Sequence, residues 1–273
     1  MNEFLTRSLT GLVFVGLLIT SVFLSEIAIL AVFTIFGLLC LFEFSKLIAL
    51  KGFIQYIVFL VMLGVFVFWK QIQPTVKIEE ATLILLVFSM FVSLFLIRDL
   101  FSKKIIPEFK FKKYLLTTFY MSSSFAFLLL IPNVTETYEP WIILGSFILV
   151  WVNDSFAYLT GKNFGRQKLF ERISPKKTVE GFLGGLLFSC IASYFIAKFT
   201  QTLSFSSWLI LAIIISSIGT IGDLIQSKFK RQANVKDSGS IMPGHGGIFD
   251  RLDSMIFSAP FIYLFLKILH YVS

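Results

Sequence analysis

The sequence predicts an all-α, polytopic integral membrane protein with about nine transmembrane helices and a cytoplasmic N-terminus. Three observations carry that reading. Apolar residues fill 56% of 273 positions and charged residues only 15%, with a mean hydropathy of +0.86; a soluble domain of this length carries far more charge. Nine apolar stretches are each long enough to cross a hydrocarbon core about 30 Å thick. The runs are continuous rather than alternating, which argues against a β-barrel.

The stretches fall at 8–25, 27–48, 53–70, 81–98, 114–131, 141–160, 178–199, 206–226 and 253–271. The first follows Arg7. Its apolar run is longer than a usual signal-peptide core and no small-x-small cleavage site stands out, so a retained helix is expected. The second carries Glu43 near its inner end, where snorkelling or pairing with Lys46 is expected and a catalytic role is the alternative. Between the fourth and fifth, the run Arg98 to Lys113 holds Lys103, Lys104, Lys110 and Lys112, an interfacial loop suited to headgroup phosphates. Cys40 and Cys190 lie inside spans and no CxxC pair occurs, so both read as small buried apolar residues.

Charge sets the orientation. With the N-terminus in the cytoplasm, 20 of the 24 basic residues face that side, leaving Lys70, Lys77, Lys198 and Lys267 opposite. This asymmetry places the C-terminus outside. The net charge of +8 therefore belongs to a face near anionic lipid and phosphorylated substrates, and no nucleic-acid partner is expected.

From residue 141 onward the spans become richer in glycine and polar residues. Asn153 and Asp154 lie within the sixth span, and Gly181, Gly184 and Gly185 open the seventh. Small residues at such spacings allow helices to approach closely. The chain thus divides into an N-terminal packing half, 1–140, and a C-terminal half, 141–273, that carries the chemistry at its cytoplasmic edge.

The densest chemistry lies from Asp223 to Asp253, where thirty-one positions hold four Asp and five Lys or Arg. Ionisable groups at a membrane are costly and are kept where they are used. If the eighth helix continues past the membrane edge, Asp223, Ser227 and Lys230 or Arg231 share one face. Pro243-Gly244-His245-Gly246-Gly247 follows, and successive glycines can turn backbone N–H groups toward an anion. Asp250 suits a cation; Asp253 suits either a cation or the N-cap of the last helix. His245 suits phosphate donation, general acid work or a turn. Just before the seventh span, Ser174 and Pro175 read as a helix start, which would put Lys176 and Lys177 at the positive end of a helix dipole.

Together these segments resemble the phosphatidate cytidylyltransferase (CDP-diacylglycerol synthase) family. The family signature S-x-x-K-R-x(4)-K-D-x(5)-P-G-H-G-G-x-x-D-R-x-D is met at Ser227, Lys230, Arg231, Lys236, Asp237, Pro243 to Gly247, Asp250, Arg251 and Asp253. Asn153-Asp154 and the stretch Ile173 to Gly181 are also similar to family segments. The resemblance covers about 141–256. It implies transfer of CMP from CTP to phosphatidate, giving CDP-diacylglycerol and pyrophosphate, with Mg²⁺ as cofactor and a second, monovalent cation left open. It further implies Asp223, Asp250, Lys230, Arg231 and His245 as catalytic residues. Metal ligands would be Asp223, Asp250 and Asp154. Substrate contacts would come from Ser227, Lys228, Lys236, Asp237, Gly246, Gly247, Arg251, Lys176, Lys177 and Asn153. A bacterial plasma membrane is the expected location, the bilayer is a partner, and a homodimer is left open.

Three rival readings stand beside this one. A related CTP-using lipid enzyme, such as a CDP-archaeol synthase or a polyprenol kinase, would share part of the architecture. An ion-coupled transporter also needs intramembrane acids and broken helices, but here the acids cluster at the cytoplasmic edge and no inverted repeat is visible. A non-catalytic lipid-binding scaffold would not need paired acids.

Overall fold

The structure, a computed structural model, describes residues 3–67, 78–103, 105–106, 109–134 and 137–272. Lys70, Lys77 and Lys104 lie outside the described residues, as does the outer end of the third expected span. Among the described residues the helices are α1 (Glu3–Leu24), α2 (Glu26–Leu47), α3 (Ile54–Val67), α4 (Ile78–Phe101), α5 (Lys110–Asn133), α6 (Pro140–Phe164), α7 (Val179–Thr200), α8 (Phe205–Gln232) and α9 (Phe249–Val272). Eight of them, all but α3, are long and apolar enough to cross a membrane. Their outward faces carry exposed Leu12, Leu24, Ile27, Leu83 and Phe199. In water that would be a liability; against lipid tails it is the ordinary solvent-facing surface.

The chain groups into two compact units, each discontinuous in sequence. The first comprises Met1–Leu129 and Phe229–Leu252, the second Leu130–Lys228 and Asp253–Ser273.

In the first unit Ser25 alone separates α1 from α2, and its hydroxyl accepts the Ala28 N–H at 3.1 Å, satisfying one of the donors a helix start leaves orphaned. The core is aromatic. Phe44 on α2 lies 5.5 Å from Tyr120, 5.2 Å from Phe229 and 5.7 Å from Phe249, ring centre to ring centre and edge to face. Edge-to-face geometry aligns the ring quadrupoles favourably. Tyr120 reaches this cluster from a π-helical stretch within α5, Thr117–Ser122. The wider turn there inserts one extra residue per hydrogen-bonded ring, and Ser122 Oγ donates to the Thr117 carbonyl at 2.8 Å across it. The cluster thus fixes the segment that begins at Phe229.

In the second unit α6 and α7 lie almost backbone to backbone. A Cβ on Gly181 would meet the Ala157 carbonyl oxygen at 2.8 Å, and one on Gly185 the Asn153 carbonyl at 2.7 Å. The expectation that small residues here serve close helix approach holds. Phe156 and Phe188 stack across the seam at 3.8 Å.

Between α6 and α7 the structure departs from the sequence reading. Ser174–Thr178 is a strand, β2, pairing antiparallel with β1 (Lys168–Phe170). The helix starts at Val179, capped by Thr178, whose hydroxyl accepts the Gly181 N–H at 3.1 Å. Ser174 and Pro175 are therefore not a helix start, and Lys176 and Lys177 are not at a helix N-terminus. Two competing cap signals stand within a few residues of each other. Glu180 favours the later one, since its carboxylate accepts the N–H groups of Arg166 at 2.9 Å and Gln167 at 3.1 Å and so closes the hairpin. The last helix, α9, begins at Phe249, so Asp253 is not an N-cap. It lies one turn inside the helix, is buried, and accepts the Ser254 N–H at 2.7 Å.

Candidate active site

The signature segment divides between the two units, and each part has its own geometry. In the first unit the chain leaves α8 at Gln232 and returns at Phe249 through a loop folded around two buried carboxylates. Asp250, its side chain only 7% exposed, accepts Lys230 Nζ at 2.7 Å. Its second oxygen accepts the N–H groups of Ser238 at 2.7 Å and Gly247 at 3.0 Å. A buried carboxylate persists as an ion only when its oxygens are supplied with donors in this way.

The second carboxylate is Glu43, on α2. It does not snorkel or pair with Lys46, which is exposed. It is 1% exposed and accepts the Ser238 hydroxyl at 2.9 Å, the Phe249 N–H at 2.9 Å and the Ile248 N–H at 3.2 Å. The last two are orphan donors at the start of α9, so Glu43 caps that helix from a distant part of the sequence. Gly247 is fixed by the same crowding, because a Cβ there would collide with the Ser238 hydroxyl and the Glu43 carboxylate.

Within the loop, the Met242 carbonyl accepts the N–H groups of His245 at 2.9 Å and Gly246 at 3.1 Å, and Met242 N–H returns to the Gly246 carbonyl at 2.9 Å. Gly244 and Gly246 take φ of +77° and +86° to make this ring, conformations that cost other residues energy. The N–H groups of His245, Gly246 and Gly247 are thereby spent inside the loop and do not form the anion nest the sequence suggested. Anion-binding capacity passes to side chains instead. The loop borders an open cleft of about 600 Å³ lined by Arg7, Lys236, Asp237, His245, Gly246 and Arg251 among others. Arg251 holds the His245 carbonyl through its guanidinium at 2.6 Å. Burial, and then the charges of Arg251 and Arg7, hold the His245 imidazolium pKa below its ordinary value, since both disfavour a further positive charge. Arg231 is exposed and donates to the Val235 carbonyl at 3.1 Å, closing the end of α8.

In the second unit Asp223 on α8 is held from two sides. Ser227, one turn along, donates its hydroxyl to Asp223 at 3.2 Å, the single-face arrangement expected from the sequence. From β2, Lys177 places its ammonium 2.5 Å from the other oxygen, with both side chains under a third exposed. Lys176, adjacent on the strand, is exposed, because successive strand residues point to opposite faces. The two lysines are thus unequal. Lys228 is buried. Asn153 is buried against Gly185 with its carbonyl oxygen unpartnered among the described residues, and Asp154 is exposed.

Sequence reasoning singled out Glu43 but missed its contacts with Ser238, Ile248 and Phe249, and it missed the contribution of α1 to the cleft. Glu43 had one legible signal, an acid inside an apolar span; its partners lie some two hundred residues away and carried none.

Phosphatidate cytidylyltransferases of Staphylococcus aureus strain COL and Staphylococcus saprophyticus are 47% and 48% identical to the chain over 126 residues, which is 45% of the chain and 48% of each relative. That of Staphylococcus epidermidis strain RP62A is 46% identical over the same length. The chain spans about half the length of the curated relatives it matches. The description "Cytidylyltransferase family" matches residues 5–269, and by that extent the chain belongs to the cytidylyltransferase family.

Proposed function

We propose that this protein transfers CMP from CTP to phosphatidate, forming CDP-diacylglycerol and pyrophosphate in a bacterial plasma membrane. The observation that carries the reading is the cationic cleft beside the Pro243–Gly247 loop, bordered by Lys236, Arg251 and a neutral-leaning His245. Relatives that share nearly half their residues with the chain over the matched stretch bear the corresponding name.

The chemistry asks little of a protein nucleophile. A lipid phosphomonoester is already anionic near neutral pH. One of its oxygens attacks the α-phosphorus of CTP, a P–O bond to that phosphorus forms, and the α–β bridging P–O bond breaks with its electrons going to pyrophosphate. Catalysis then rests on positioning and on charge stabilisation. Lys236, Arg251, Lys228, Lys230 and Arg231 are the cations proposed to face phosphate oxygens. The glycines shape the cleft, while Ser227, Asp237 and Asn153 are proposed to orient substrate.

Mg²⁺ is proposed as the cofactor. Among the described residues no three His, Cys, Asp or Glu side chains converge into a metal cage. The donors nonetheless fit, since Mg²⁺ is usually bound by one or two carboxylates, with water and substrate phosphates completing its shell. Asp223 already draws a cation, the Lys177 ammonium, onto its oxygen. Asp223, Asp250 and Asp154 are each proposed as ligands, and the bound ion would neutralise charge developing on the leaving pyrophosphate.

The test is direct. Purified protein with Mg²⁺, labelled CTP and a panel of phosphatidate, archaetidate precursor and polyprenol acceptors should yield lipid-linked CMP with phosphatidate alone. Product only with another acceptor, or none with any, rejects the reading.

A further inference from the structure

The first turns of α1 enter the cleft from the far end of the sequence. Arg7 and Thr10 are three apart, hence on one helix face. Thr10 Oγ1 lies 2.8 Å from His245 Nδ1 and 3.2 Å from the Pro243 carbonyl. Gly11 lies flat against the same imidazole, where a Cβ would meet Cε1 at 3.4 Å. Arg7 lays its stem on Gly244, where a Cβ would meet Arg7 Cγ at 2.7 Å, and Arg7 then lines the cleft beside Lys236 and Arg251. An arginine that only sets topology needs the cytoplasmic side of the membrane and nothing more. This one is registered against a particular loop by a hydrogen bond one turn away.

Thr10 also bears on the tautomer of the ring. A helical threonine commonly donates to the carbonyl three or four residues back, and Thr10 Oγ1 lies 2.9 Å from the Thr6 carbonyl and 3.0 Å from that of Arg7. With the hydroxyl proton directed to either carbonyl, the remaining lone pair is placed to accept Nδ1–H of His245, the tautomer that leaves Nε2 unprotonated.

We infer that α1 is part of the substrate site: Arg7 binds a substrate phosphate in the cleft, and Thr10 positions the His245 ring beside it. The inference rests on the proposed function for which substrate supplies that phosphate, the triphosphate of CTP or the lipid phosphomonoester. Arginine suits either, because its planar fork matches two phosphate oxygens at once.

The experiment uses the full chain in detergent or liposomes and determines KM for CTP and for phosphatidate separately. Arg7→Gln should raise one of the two about tenfold or more, the scale of one lost charged hydrogen bond, and the affected substrate names the source. Arg7→Lys, which keeps charge and topology, should raise the same KM by a smaller factor. Lys51→Gln, an exposed cation away from the cleft, should change neither. Thr10→Val should mix the His245 tautomers in ¹⁵N spectra. Unchanged KM values in Arg7→Gln, or in Arg7→Lys if the first fails to fold, overturn the inference, as does an equal rise in Lys51→Gln or an unaltered tautomer in Thr10→Val. If the wild type turns over neither substrate, the proposed function fails on its own and Arg7 is judged by calorimetry with pyrophosphate. A tenfold weaker Kd in Arg7→Gln then upholds it, and equal Kd values, or no binding by the wild type, overturn it.

Discussion

The carboxylate of Glu43 accepts the Ser238 hydroxyl at 2.9 Å across 195 positions of sequence, and the same hydroxyl lies 3.0 Å from Asp250. One serine therefore bridges two buried acids, one on α2 and one at the start of α9. The loop between α8 and α9 is shaped from beneath by a residue of the N-terminal stretch. This assigns α2 a task beyond spanning the membrane.

Glu43→Gln tests that task. An amide has one acceptor oxygen where the carboxylate has two, and its NH₂ would face backbone donors. At least one of the Ile248 and Phe249 N–H groups then loses its acceptor, at a cost of about 1–3 kcal/mol for a buried group. Hydrogen–deuterium exchange should accelerate at residues 238–249 and thermal stability should fall. Exchange at wild-type rates would show that the loop holds its shape without this anchor.

The two lysines of β2 should separate cleanly. Lys177 contacts Asp223, whereas Lys176 points outward. Lys177→Ala should lower kcat/KM by about tenfold or more, a loss of roughly 1.4 kcal/mol of transition-state stabilisation. Lys176→Ala should change it by less than about twofold. Equal losses would mean that charge density on the hairpin, not the contact with Asp223, is what matters.

Those lysines also show what the sequence could and could not convey. The helices were legible because a membrane span must satisfy its own backbone and therefore advertises itself as an unbroken apolar run. The Asp223–Ser227 pairing was legible because it is local to one helix face. The hairpin was not. Ser174-Pro175 and Thr178 are both respectable caps, and the choice depends on Glu180 reaching back to the Arg166 and Gln167 N–H groups. Likewise the glycines of the Pro243–Gly247 loop were read correctly as permissive. Where their N–H groups point was decided by Met242 and Asp250, which no spacing rule encodes.

His245 provides a pH test with a definite sign. Its folded pKa lies below the ordinary value, first through burial and then through Arg251 and Arg7. The unfolded chain therefore binds a proton more readily than the folded one as pH falls through about 6.5. This group's contribution to stability is intact above that pH and is lost as pH drops from about 6.5 toward the folded pKa. The chain has two histidines, so a His245→Asn variant assigns its imidazole signal in an NMR titration. The midpoint should lie below about 6.5 and should rise in Arg7→Gln. A midpoint above that value would mean that an anion, not the two arginines, governs the ring.

The carboxylates offer the sharpest test of the chemistry. Asp223→Asn and Asp250→Asn each preserve volume while removing a negative charge. If each ligates Mg²⁺, each should lose at least about a hundredfold in rate, comparable with deleting one electrostatic stabiliser from a preorganised site. Their secondary effects should differ. Asp250 also accepts the Ser238 and Gly247 N–H groups, so its amide variant should loosen the loop and lower thermal stability. Asp223 has the Lys177 ammonium and the Ser227 hydroxyl as partners, so its variant should fold normally and need more Mg²⁺ for half-maximal rate. In the Asp223→Asn, Lys177→Ala double variant the losses should fall well short of the product of the two single effects, because residues acting as a unit are not additive. Near-normal turnover of Asp223→Asn at low Mg²⁺ would make that acid a structural partner of Lys177 and remove it from the metal site.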